Sequence, residues 1–182
     1  MYFDLFPTIE YKNVGLTTTK TVTNILKRAA IRSAIKENRV IFTQYIIKGN
    51  ETPESLAFDL YDDAELHWVI LLSNDIYDRY HQWPMNVNQF LSYVGDKYSN
   101  PNGVHHYEIS QSSGDTKTKI EVYANEALYT GDTDFYSSAT IVTNREYEEQ
   151  QQDKKRRIKL LDPSFVDQFV QEFELLIGET PI

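Results

Sequence analysis

The run Tyr45-Ile46-Ile47-Lys48-Gly49-Asn50-Glu51-Thr52-Pro53-Glu54-Ser55-Leu56-Ala57 decides how the centre of this chain folds. Val40 to Ile47 is dense in β-branched and aromatic residues and reads as a strand. Lys48-Gly49-Asn50 turns the chain. Thr52 before Pro53 is a helix N-cap followed by proline at the first helical position, with Glu54 well placed in the first turn. Leu56, Ala57, Leu60 and Tyr61 give this short helix one apolar face. Asp62-Asp63 interrupt it, and Asp63 caps a second helix predicted from Ala64 to Ser73. There Leu66, Val69, Ile70 and Ser73 share a face, with Trp68 and Leu72 beside it. The order is strand, helix, helix.

Outward from this centre the reading is less regular. Residues 1–19 read as an extended arm: Pro7 blocks a helix, and Phe3, Phe6, Ile9 and Tyr11 are apolar without a clean period. From Lys20 to about Glu37 the spacing of Val22, Ile25, Leu26, Ala29 and Ala30 predicts a helix. Its basic face (Lys27, Arg28, Arg32, Lys36) is either solvated or docks an acidic partner. Residues 77–103 are irregular and aromatic, with a short helix from about Val87 to Val94 and a turn at Asn100-Pro101-Asn102-Gly103. Val104 to Ser110 and Lys117 to Tyr123 predict a hairpin across Ser112-Ser113-Gly114-Asp115. Residues 124–143 signal weakly, with Gly131-Asp132 in a loop.

The end of the chain reads as two helices. Asn144 to Lys159 is highly charged and expected to be exposed. Asp162-Pro163 repeats the cap-plus-proline start. Phe165, Val166, Phe169, Val170, Phe173, Leu176 and Ile177 then form an apolar stripe closed by Gly178. Either this chain's own core or a partner's groove would bury it. The expected class is α+β, a small strand-helix-helix domain with flanking arm, hairpin and C-terminal amphipathic helix. Its expected divisions are 1–39, 40–83, 84–143 and 144–182.

Composition narrows the function. Eighteen Lys and Arg against 27 Asp and Glu leave a net charge of −9, and the longest basic run is Lys154-Lys155-Arg156-Arg157. That is a poor match to a phosphate backbone, so no nucleic-acid partner is expected. The longest apolar run after the N-terminus, Trp68 to Leu72, is far below the roughly 20 residues of a membrane helix, and the N-terminus lacks a secretory pattern. No membrane partner is expected. Zero cysteines remove disulfides, thiolate metal sites and cysteine nucleophiles together. Thirteen Tyr and nine Phe suit surfaces that become buried on assembly.

His67, His81, His105 and His106 show no metal-ligand spacing, and adjacent His105 and His106 on a strand would point to opposite faces. Asp59, Asp62 and Asp63 cluster, as do Asp75 and Asp78, in positions that suit helix caps. A wall-degrading enzyme would need one of Asp62, Asp63 or Glu65 as an essential acid. The expectation is no enzyme, no catalytic residue, no metal and no cofactor.

The stretch from Tyr45 to Ala57, followed by Trp68 and Asn74, resembles a LysM module. Glycan-binding members form a second strand directly after that Asn, whereas here Asp75-Ile76-Tyr77-Asp78-Arg79-Tyr80-His81-Gln82-Trp83 follows. A wider resemblance takes in the flanks. Tyr45-x-x-Lys48-Gly49, Pro53-Glu54-x-Leu56-Ala57 and Leu66-x-Trp68-Val69-x-Leu71-Leu72-x-Asn74-Asp75-x-Tyr77-Asp78 look like the baseplate wedge proteins of T4-like contractile phages, the gene product 53 family. Phe6-Pro7-x-Ile9-x-Tyr11, the segment Ile25 to Arg32 and Arg157-Ile158-Lys159-Leu160-Leu161 stand in the same order there.

This resemblance implies a structural virion protein of the tail baseplate, assembled in the host cytoplasm. Its partners would be other wedge proteins and neighbouring wedges, bridged by non-covalent contacts. The contact elements expected from exposure are Phe3, Phe6 and Tyr11 in the arm and Phe165, Phe169 and Phe173 in the last helix. Under the alternative, a peptidoglycan-binding LysM module, Gly49, Asn50, Glu51 and Thr52 with Asn74 to Tyr77 would line a glycan groove.

Overall fold

The computed structural model describes residues 2–12, 15, 18–27, 31, 37, 40–110, 119–123 and 139–179. Along the chain these form β1 (Thr8–Lys12), β2 (Thr19–Thr23), β3 (Phe42–Ile46), α1 (Pro53–Tyr61), α2 (His67–Ser73), α3 (Arg79–Gln82), α4 (Val87–Lys97), β4 (Val104–Ser110), β5 (Lys119–Tyr123), β6 (Thr140–Thr143), α5 (Asn144–Arg156), β7 (Arg157–Leu161) and α6 (Val166–Glu179). The class is α+β.

The central helices start as their cap chemistry predicts. Thr52 Oγ1 accepts from the Ser55 amide (3.2 Å) while Ser55 Oγ accepts from the Thr52 amide (2.9 Å), so two orphan donors of α1 are satisfied reciprocally. Asp62 ends α1 in the left-handed conformation, φ 57°. Asp63 then accepts from the Glu65 amide at 2.8 Å and opens a 3-10 turn, Ala64–Leu66, that runs into α2.

β3 finds its partner far along the chain. It pairs antiparallel with β7, Phe42 opposite Leu161 and Ile46 opposite Arg157. The charged helix expected over 144–159 therefore stops at Arg156. From Arg157 to Leu160 exposed and covered positions alternate, with Ile158 and Leu160 buried, and that period belongs to a strand. Asn74 fastens the outer side of β7. Its Nδ2 donates to Lys159 O and to Ile70 O, both at 2.8 Å, and its Oδ1 accepts from the Lys159 amide at 2.7 Å. One side chain thus makes the hydrogen bonds that a third strand would make.

Two apolar clusters lie around this frame. One joins Ile47, Leu56, Ala57, Ile70, Trp83, Ile158 and Leu160. The other gathers Phe6, Phe42, Trp68, Val69, Leu161, Val166, Phe173 and Ile177. Trp68 and Phe173 ring centroids are 4.6 Å apart, with Tyr2 tilted against both. The last helix thus buries Val166, Phe173 and Ile177 of its stripe in its own chain, half-buries Phe169 and Val170, and leaves Leu176 exposed. Gly178 does not close it, since α6 continues to Glu179.

Three further expectations change. The N-terminal segment is not an arm throughout: Tyr2–Leu5 is a 3-10 turn, Phe6 is core, and β1 pairs with β2. No helix begins at Lys20, because Thr19-Lys20-Thr21-Val22-Thr23 is β-branched at four of five positions and forms β2. Most of the remaining predicted helix, Arg28 to Lys36, lies outside the described residues.

The chain divides into two compact units, Met1–Trp83 with Arg156–Ile182, and Pro84–Lys155. So 144–155 groups with the region before it, and 156–182 returns to the first unit. In the second unit α4 runs to Lys97, and β4 lies between β5 and β6 in an antiparallel sheet. β6 arises from the weakly signalled stretch. The hairpin turn residues Ser112 to Asp115 and the Gly131-Asp132 loop are outside the described residues. α5 is not wholly exposed: Glu148 and Gln152 are buried.

Candidate partner-contact surfaces

The β1–β2 ribbon is exposed along nearly its whole length, only Ile9 being half-buried. Its register places Ile9 opposite Val22 and Tyr11 opposite Lys20. Side chains directly opposite share a face, so Ile9, Tyr11 and Val22 form an apolar patch beside Lys20, while the other face is mostly threonine. Tyr11 is 53% exposed and no residue of either strand is buried.

Its base, by contrast, is fixed. The Asn24 amide donates to Pro7 O at 2.8 Å, Asn24 is buried, and its Oδ1 accepts from the Leu26 amide. Lys27 Nζ donates to Ile177 O at 2.8 Å, placing a cation where the carbonyls of α6 end. Between these ties Ile25 and Leu26 are exposed.

The six expected contact residues separate into three groups. Phe3 and Tyr11 are exposed. Phe165 and Phe169 are half-buried against the aromatic cluster, Phe169 lying 6.1 Å from Trp68. Phe6 and Phe173 are buried inside it, at 7% and 4% exposure, so their rings face this chain's own core. On α6 it is instead Leu175 and Leu176 that face outward. Spacing alone predicts a helix through Val22, Ile25 and Leu26. The alternation through Thr19, Thr21 and Thr23 was the signal that would have placed Val22 on a ribbon face.

Three residues of the glycan-groove alternative, Glu51, Thr52 and Asn74, are engaged internally. Glu51 accepts from Tyr45 Oη (2.8 and 3.0 Å) and from the Lys48 amide (2.7 Å). Burial, reinforced by the Glu51 carboxylate, pushes the Tyr45 hydroxyl up to about 12. Glu51 O takes the Trp83 indole N–H at 2.9 Å, Thr52 is in the capping box, and the Asn74 side chain is bonded to Lys159 of β7. Gly49 has φ +35° in the turn, and Tyr77 is exposed. Of the acids weighed for catalysis, Asp62 caps the end of α1 and Asp63 the start of the next turn.

The histidine pair departs from expectation. The register of β4 against β6 shifts between Val104 and His106, and this irregularity brings the two Nδ1 atoms to 2.8 Å instead of sending the rings to opposite faces. Among the described residues no group of three His, Asp or Glu could hold a metal ion, and no helix is long and apolar enough to cross a membrane.

With this geometry in place, a family model described as "Base plate wedge protein 53" matches residues 1–176. The chain belongs to that family. It is also similar to the baseplate wedge protein gp53 of Enterobacteria phage T4, at 28% identity over 148 residues, covering 70% of this chain and 69% of the relative. As a member of the base plate wedge protein 53 family, the chain is matched through the ribbon, both central helices, β7 and most of α6. Both surfaces with outward apolar side chains in the first unit's termini therefore lie inside the family match.

Proposed function

We propose that this chain joins neighbouring wedges of a phage tail baseplate, without catalysis, using the β1–β2 ribbon as one contact element. Membership of the family makes it a structural baseplate component. The finer reading rests on one observation: a ribbon whose ladder is complete but whose apolar face, Tyr11 and Val22 with half-buried Ile9, is uncovered. A lone two-stranded ribbon is marginal in water, and a neighbour that covers it gains both apolar area and order. The outer side of α6, with Leu175 and Leu176, supplies the second contact. Two moderate contacts in one subunit bind far more tightly than either alone.

Deleting residues 1–19 would be an unsuitable test, because it removes Tyr2 and Phe6 from the core. Surface substitutions are cleaner. Co-expression with the phage's other wedge proteins, followed by size exclusion and electron microscopy, should show joined wedges with the natural chain. Ile9→Ser/Tyr11→Ser/Val22→Ser should remain folded and leave single wedges. Joined wedges with this variant would reject the ribbon as a contact.

A further inference from the structure

We propose that His105 and His106 form a proton-operated latch in the second unit: the pair holds β4 against α5 while it carries at most one excess proton, and opens when a second proton enters. Their Nδ1 atoms face each other at 2.8 Å. At that distance one nitrogen donates an N–H and the other accepts with its lone pair. Two imidazolium rings would set two N–H groups head to head, which no rotation of either ring within this contact relieves.

Neither ring can readily leave. His106 is 1% exposed, so it reaches water only if the strand moves. His105 is stacked on Tyr147 of α5, with centroids 3.8 Å apart and planes within 9°. Its edge meets Tyr123 at 5.9 Å and Tyr98 at 6.5 Å. Expelling His105 therefore removes the stack that joins strand to helix.

The charges around the pair tell the two protons apart. His106 Nε2 has no hydrogen-bond partner and lies 3.7 Å from Glu108 Oε1 on the same strand. An Nε2–H on His106 would point toward that carboxylate. Two excess protons on the pair, with Nδ1–H aimed at Nδ1–H, must include one on His105. Around it stand Glu121 and Tyr123 from β5, Tyr147 and Glu148 from α5, and Lys97 with Tyr98 at the end of α4; β6 contributes no titratable group.

Glu148 is already held by Lys97 Nζ and Tyr98 Oη, each at 2.7 Å. Burial, then the charge on His106, keep the His105 pKa below its ordinary value, outweighing Glu148 and Glu121. A base whose folded pKa is depressed contributes stability above its unfolded pKa, near 6.5 for His, and loses that stability as pH falls through the window below it.

The test is hydrogen exchange of the full chain at about pH 7.5 and about pH 5.5, corrected for intrinsic rates. Peptides from β4 and α5 should lose protection by up to about tenfold at the lower pH, which lies about one unit below the ordinary histidine value, while α1 and α2 stay protected. His105→Gln, which takes up no proton, should show no such loss. Equal protection at both pH values, equal opening of α1 and α2, or the same loss in the variant would overturn the latch. Should the variant not fold, imidazole NMR titration of the natural chain decides. Two separated steps, the second below the ordinary histidine value, support the latch; two coincident steps at that value overturn it.

Discussion

Two pairs of five-residue antiparallel strands, β3 with β7 and β1 with β2, share a ladder and differ in everything around it. The first pair buries Phe42, Ile158, Leu160 and Leu161 between helices; the second buries none of its ten residues. Backbone hydrogen bonds are therefore not what separates a core element from a contact element here. Each such bond contributes only about 0.5–1.5 kcal/mol net, whereas fully burying one large apolar side chain contributes about 1.5–3 kcal/mol. Side-chain pattern assigns β3–β7 to the inside, and it leaves the ribbon's apolar face uncovered in this chain.

Substitutions should therefore have very different effects on the two pairs. Trp68→Ala opens the aromatic cluster behind β3 and β7 and should cost about 3–5 kcal/mol in denaturant unfolding. A loss no larger than that of a surface change would mean the cluster does not hold that pair. Asn74→Ala leaves the Lys159 amide and carbonyl on β7 without their partner and should cost about 1–3 kcal/mol.

Lys27→Ala removes the tie between the ribbon's base and the end of α6, with an expected loss of about 0.3–1 kcal/mol that shrinks in high salt. Tyr11→Ser on the ribbon should shift stability by no more than about 0.5 kcal/mol while weakening wedge association in size exclusion. If Tyr11→Ser instead destabilised the chain as much as Trp68→Ala, the contrast between the two pairs would collapse.

What was legible from sequence was what is local. Thr52-Pro53 and Asp162-Pro163 announced their helix starts because a cap and the proline after it are adjacent residues acting on adjacent amides. The partner of β3 was not legible, since Phe42 and Leu161 meet across more than a hundred residues and nothing at either end specifies the other. Val22, Ile25 and Leu26 satisfy a helical period by spacing alone, yet the threonines between them prefer an extended backbone, and pairing with β1 settled the competition. The burial of Phe6 and Phe173 is illegible for the same reason: each is apolar near a terminus, and only the fold brings the two termini onto Trp68. The contact of His105 with His106 depends on a shift in strand register, which an alternating pattern does not reveal.

The most direct measurement is amide hydrogen exchange across β1–β2 and β3–β7, in the free chain and in the assembled wedge. The account predicts fast exchange in the ribbon and slow exchange in β3–β7 when the chain is alone, with the ribbon becoming protected on assembly and β3–β7 unchanged. A ribbon as protected as β3–β7 in the free chain, or one indifferent to assembly, would contradict it.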